Sequence, residues 1–131
     1  MLAKSLTIFH ARMLPMAVGG ILLAAASAFA GEADVVAAKF DKAADGSYRF
    51  DVTLRHADAG WKHYADLWQV IGPDGTVYGE RVLAHPHDTE QPFTRSQSGI
   101  VIPEGVSTVS IRAHDKLHGW GGAELEVDLG E

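Results

Sequence analysis

The feature that most constrains the fold is the alternation that begins at Tyr48. Tyr48, Phe50, Val52 and Leu54 fall on one parity, and Arg49, Asp51, Thr53 and Arg55 on the other. Successive side chains of an extended chain point to opposite faces, so this segment reads as a strand with one face on a core and one in water. A helix would spread the same residues around its whole circumference.

The rest of the chain repeats that grammar. Residues 34–40 read as a first strand, closed by the hairpin-type turn Asp45-Gly46. The alternating segment ends at His56 and gives way to a polar loop, Ala57-Asp58-Ala59-Gly60. A third strand spans about 64–71, with Trp68 and Val70 as core residues, and Pro73-Asp74-Gly75 turns it into a fourth over 76–83. Residues 84–98 read as a long loop, because Pro86 and Pro92 interrupt continuous pairing. A short fifth strand is expected at 100–102, a sixth at Val109, Ile111 and Ala113, and a seventh at Leu125, Val127 and Leu129. No helical period of comparable length competes after residue 31. About seven short strands with turn signals at this spacing predict an all-β, immunoglobulin-like antiparallel β-sandwich; a closed small barrel is the alternative.

Residues 1–30 read as a secretory signal peptide and 31–131 as the domain. Lys4 and Arg12 form a basic start with no acid before Glu32, an apolar run follows, and Ala28-Phe29-Ala30 offers a cleavage site. A retained membrane anchor is the competing reading of that run. Without Lys4 and Arg12 the domain carries nine basic against seventeen acidic residues, a formal charge of −8. Such a surface repels nucleic acid and anionic lipid, so neither is an expected partner after cleavage. The chain has no cysteine and its three methionines all precede residue 17. Disulfides and thiolate chemistry are excluded, and the domain has no sulfur ligand.

Strand direction then places the histidines. If consecutive strands run up and down, the loops after the second, fourth and sixth strands share one end, and His56, His63, His85, His87, His114 and His118 all lie in or beside those loops. Loops gathered at one end of a sandwich are where such folds carry function. His85-Pro86-His87 leads the candidates, since the proline favours extended geometry and residues two apart then project together. His114 and His118 come next, His63 is either a ligand or a cover for Trp68, and His56 is placed last. Any one of these residues alone reads more simply as a hydrogen-bonded surface or half-core histidine.

Taken as a set, His85, His87, His114, His118 and His63 are the expected metal ligands, with Asp115, Asp88, Glu90 and Asp66 as carboxylates that complete or orient the shell. Imidazole and carboxylate without sulfur suit Zn(II), Cu(II), Ni(II) or Fe(II), and not a Cu(I) carrier. Whether such a site is catalytic is left open. Trp61 and Trp120, beside loop glycines, read as packing residues or as a platform for a sugar or peptide. A non-catalytic module that touches an exported protein or a glycan is the reading from another class. Ser96 and Ser98 lack a nucleophile-elbow context, so a serine hydrolase is set aside.

Two resemblances follow from these residues. Gly60-Trp61-Lys62-His63-Tyr64-Ala65-Asp66-Leu67-Trp68, with His85-Pro86-His87 and Glu90-Gln91-Pro92-Phe93-Thr94-Arg95, resembles a group of small exported bacterial proteins without assigned function. It implies a periplasmic or secreted location. His56 and His63-Tyr64 with Trp68 beyond, and Asp115-Lys116-Leu117-His118-Gly119, are similar to the two ligand segments of the desulfoferrodoxin-type superoxide reductases. Those are immunoglobulin-like sandwiches that hold iron with four histidines and a cysteine. Asp115 stands where the cysteine would be, the first histidine spacing is one residue longer, and no upstream Lys-His pair exists. The resemblance implies a metal-holding end of the sandwich and puts superoxide reduction by that mechanism in doubt.

Overall fold

The computed structural model describes residues 21–23 and 31–130. The leader reading lies outside the described residues apart from 21–23. These form strand β1, Ile21–Leu23, hydrogen-bonded antiparallel to residues 37–39 of the next strand.

The remaining strands are β2 Asp34–Lys42, β3 Tyr48–Arg55, β4 Ala65–Ile71, β5 Val77–Val82, β6 Phe93–Ile100, β7 Thr108–Asp115, β8 Gly119–Trp120 and β9 Leu125–Asp128. They make two antiparallel sheets. One runs β1-β2-β3-β6; the other runs β5-β4-β7, with β8 and β9 pairing successive parts of the far edge of β7. Connections β3–β4 and β5–β6 cross between the sheets, as in an immunoglobulin-type sandwich.

The alternation that begins at Tyr48 does what its spacing predicts. Tyr48, Phe50, Val52 and Leu54 are buried, and they meet Trp68, Val70, Val109, Ile111 and Val127 from the opposite sheet. Each of these large apolar side chains contributes about 1.5–3 kcal/mol by leaving water. Trp68 takes the central place that an immunoglobulin tryptophan occupies, here without a disulfide beneath it.

Among the described strands β1 and β8 were not expected from the sequence, and one expected strand is displaced. The fifth strand of the sandwich is not 100–102 but β6, which begins at Phe93, inside the expected loop. Its sequence, FTRSQSGI, hides a strand because β6 is an edge partner of β3 and buries only its two ends, Phe93 and Ile100. Between Gln97 and Ile100 it carries one residue more than β3 opposite, a bulge with Gly99 at φ 72°, and this returns Ile100 to the core face.

β3 ends, β4 begins, β5 ends, β6 begins and β7 ends at one pole, where Leu54 pairs with Phe93 and Ala65 with Asp115. The start of β2 joins them there, with Asp34 opposite Arg55.

Candidate metal centre

Two of the strands run their core-facing parity one step past the apolar residues. On β3 the inward series Tyr48, Phe50, Val52, Leu54 continues to His56, which is 2% exposed. On β7 the series Val109, Ile111, Ala113 continues to Asp115, which is fully buried. The last inward places of two facing strands are therefore an imidazole and a carboxylate. His63, from the loop before β4, joins them. One ligand atom from each of His56, His63 and Asp115 lies within 4.8 Å of the other two.

Asp115 is divided between two tasks. Its Oδ1 accepts the backbone N–H groups of Leu117 (2.8 Å) and His118 (2.6 Å), fixing the tight turn after β7. Its Oδ2 is buried and has no hydrogen-bond partner among the described residues. That oxygen stands 3.6 Å from His56 Nε2, while Oδ1 is 3.8 Å from His63 Nε2 and 3.4 Å from His118 Nδ1. The His118 ring lies against that of His63, centroids 4.9 Å apart, and the His63 ring is edge-on to that of His56 at 4.8 Å.

Asp58 aims His56. Its buried Oδ1 is 2.5 Å from His56 Nδ1 and accepts the Ala65 N–H at 3.1 Å. A carboxylate on one ring nitrogen fixes which nitrogen keeps the proton and leaves the other free to bind, the arrangement common around metal-bound histidines. Asp58 was read from the sequence as part of a polar loop. The signal for its role was present only in its place two residues after a core-facing histidine.

The other Asp58 oxygen serves the neighbouring loop, accepting the His87 N–H at 2.6 Å. Gln91 reinforces this link, taking the His56 N–H and donating to the His87 carbonyl. The six histidines thus share one pole, but they do not share one site. His87 stacks on Phe93, centroids 4.0 Å apart at 12°, and both its ring nitrogens are buried without a hydrogen bond among the described residues, Asp58 Oδ2 standing 3.9 Å from Nδ1. Burial, then the charges of Arg95 and His85, hold its pKa below the ordinary value. His85 is exposed beside it, ring centroids 4.6 Å apart, with Nδ1 at 2.9 Å from the Pro86 carbonyl.

His114 lies outside the cluster as well. β4 carries one extra residue, Asp66, opposite the His114–Asp115 step of β7. Asp66 Oδ1 is 2.6 Å from His114 Nδ1, and Trp120 closes on the His114 ring with Arg112 over its indole. The two remaining carboxylates are surface groups. Glu90 pairs with Arg95 at 3.0 Å, a hydrogen bond that lowers its pKa, and Asp88 reaches the Gly60 N–H at 3.5 Å. Of the residues expected from sequence, His63, His118 and Asp115 meet in the cluster, joined by His56. His85 and His87 form a separate pair, and His114 with Asp66 another.

Chemically, the cluster is a β-sandwich pole with several electron-pair donors and no sulfur. Donors sharing one ion at about 2.1 Å stand roughly 3.0–3.5 Å apart; the donors here, within 4.8 Å of one another, would draw in by up to about an ångström to share one.

No family model and no solved structure matches the chain. It is similar to a protein of Halomicrobium mukohataei named "Putative lipoprotein", 45% identical over 97 residues, which are 74% of this chain and 47% of that protein. The chain therefore spans about half the length of the curated relative it matches. The desulfoferrodoxin likeness has no support from these comparisons and rests on the quoted residues alone.

Proposed function

We propose that this chain is an exported β-sandwich protein that holds a divalent metal ion between His56, His63 and Asp115, with His118 as a further ligand. The observation that carries this reading is Asp115 Oδ2, a buried carboxylate oxygen without a hydrogen-bond partner among the described residues, facing a histidine whose other nitrogen is fixed by Asp58. A buried carboxylate oxygen without a donor is costly, and a cation is what such an oxygen accommodates best. The donor set favours Zn(II), Cu(II), Ni(II) or Fe(II). Export is supported by the leader-like start of the sequence and by the name of the related protein.

Titration of metal-free protein with Zn(II), Cu(II) and Co(II) tests the proposal. Binding tighter than that of a free His-x-His peptide is expected, and it is expected to vanish in His56→Ala and in Asp115→Asn. Binding no tighter than the peptide rejects it.

A metalloenzyme is the second reading, favoured by one observation. His56, His63, Asp115 and His118 stand together in the fold and are also the positions that resemble the desulfoferrodoxin ligand segments. With carboxylate in place of thiolate, an iron ion here lacks the soft donor of those enzymes, so its potential and reactivity would differ. Metal content of the protein from its native compartment, followed by superoxide consumption by the iron-loaded form, separates a carrier from an enzyme.

A further inference from the structure

We propose that the backbone carbonyl of Gly31 is itself a ligand of the ion, delivered by a strap that closes the site. This deepens the metal-binding reading and rests on it. The Gly31 oxygen lies 3.2 Å from His56 Nε2 and 3.1 Å from His63 Nε2, on the side where both rings face Asp115.

The chemistry of these atoms makes the arrangement telling. Asp58 Oδ1 can only accept, so a neutral His56 keeps its proton on Nδ1 and presents a bare lone pair at Nε2. That lone pair faces the Gly31 carbonyl and Asp115 Oδ2, which are acceptors too. Electron pairs converging in this way make a place for a cation among them. With an ion bound, both Nε2 atoms would face it as bare lone pairs, any proton on the His63 Nε2 passing to solvent. The carbonyl oxygen then keeps its place, as a ligand instead of a hydrogen-bond acceptor.

The strap is built to put the carbonyl there. Gly31 has φ 89°, and a Cβ added to it would stand 2.7 Å from His118 Cε1, so any side chain would force strand entry and ring apart. Residues 31–35 are fastened to the loop before β9. Val35 N–H donates to the Ala123 carbonyl at 2.8 Å, and Ala123 N–H donates to Asp34 Oδ1 at 2.7 Å. At Gly122 a Cβ would fall on the Ala33 carbonyl, so only glycine lets the two segments lie this close.

The test uses the full chain. Gly31→Ala presses a methyl group on the His118 ring and disturbs the strap; Gly46→Ala, also left-handed (φ 91°) but with nothing within 4 Å, serves as control. The Gly31 carbonyl signal separates loss of the carbonyl from a displaced His118. We expect Gly31→Ala to bind Zn(II) and Co(II) about 10–100-fold more weakly, with Gly46→Ala binding as the parent does. A second measurement needs no variant. With glycine ¹³C-labelled at the carbonyl and glutamate ¹⁵N-labelled, only the Gly31-Glu32, Gly79-Glu80 and Gly130-Glu131 junctions give correlated signals. Zn(II) should move the Gly31 carbonyl signal alone, and Co(II) should erase it while sparing Gly79.

Equal affinity in Gly31→Ala, or a Gly31 signal that responds no more than that of Gly79, overturns the carbonyl ligand and leaves the metal site standing. No binding by the parent chain overturns both. Should Gly31→Ala fail to fold, the carbonyl signal decides.

Discussion

Two pairs of histidines sit at the same pole, linked through Asp58, and have opposite characters. His56 and His63 point their Nε2 atoms at oxygens: a backbone carbonyl and a buried carboxylate. His87, similarly sheltered, lies flat on Phe93 with neither ring nitrogen hydrogen-bonded among the described residues and Asp58 Oδ2 3.9 Å from Nδ1, and the exposed His85 lies beside it. One member of each pair, His56 and His87, is buried; what differs is the surroundings of the ring nitrogens. Oxygen lone pairs around an imidazole make a place for a cation, whereas an aromatic face makes an apolar shelf that disfavours charge. Asp58 belongs to both regions, orienting the ring of one and the backbone of the other.

The sharpest way to break this contrast is to remove a donor from the first pair. His56→Ala should weaken Zn(II) binding by more than the roughly 10–100-fold expected for loss of an outer partner, whereas His85→Ala should leave it unchanged, both read by competition titration. Equal losses would mean that the two pairs form one site. Next is Asp58→Ala, which strands His56 Nδ1 and the N–H groups of Ala65 and His87 together. A destabilisation of about 3 kcal/mol in urea unfolding is expected, with weakened metal binding, because each stranded buried group costs on the order of 1–3 kcal/mol and such losses overlap.

The third prediction concerns protons. His87 has a lowered pKa in the fold, chiefly through burial, while in the unfolded chain it titrates near its ordinary 6.5. Below that value the unfolded state binds the extra proton first, so this group stabilises the fold above about pH 6.5 and loses that contribution as pH falls. His87→Phe keeps the stack and removes the titration. The stability difference between pH 7 and pH 5, from urea unfolding, should therefore shrink in the variant. The smallest effect is expected on the other side of β7. His114→Ala opens a partly exposed pair with Asp66 and should cost under about 1 kcal/mol, with no change in metal affinity.

The sandwich was legible wherever burial is periodic. β3 shows a complete inward series, and β7 and β9 show enough of theirs, because each has one face on the core. β6 was not legible, since an edge strand that buries only its ends leaves no alternation to read. The shared pole of the histidines followed from strand direction alone, a matter of counting reversals. His56 comes last among the sequence candidates because it ends a strand, yet it occupies the next inward place of the series from Tyr48. Asp115 holds the equivalent place after Ala113. Polar residues that extend a core parity are a signal present in sequence.

What the sequence determined by itself is the layer architecture, the direction of its strands and the absence of any sulfur donor, since these depend on local periodicity and residue type. Only the tertiary structure decided which imidazoles meet. That choice depends on where ring nitrogens point, and pointing is fixed by contacts between segments far apart in the chain: Asp58 beneath His56, Phe93 beneath His87, and the Gly31 carbonyl across both His56 and His63. Spacing along a strand can bring two rings to one side of a sheet, but the atoms opposite them determine whether they hold a cation or pack against carbon.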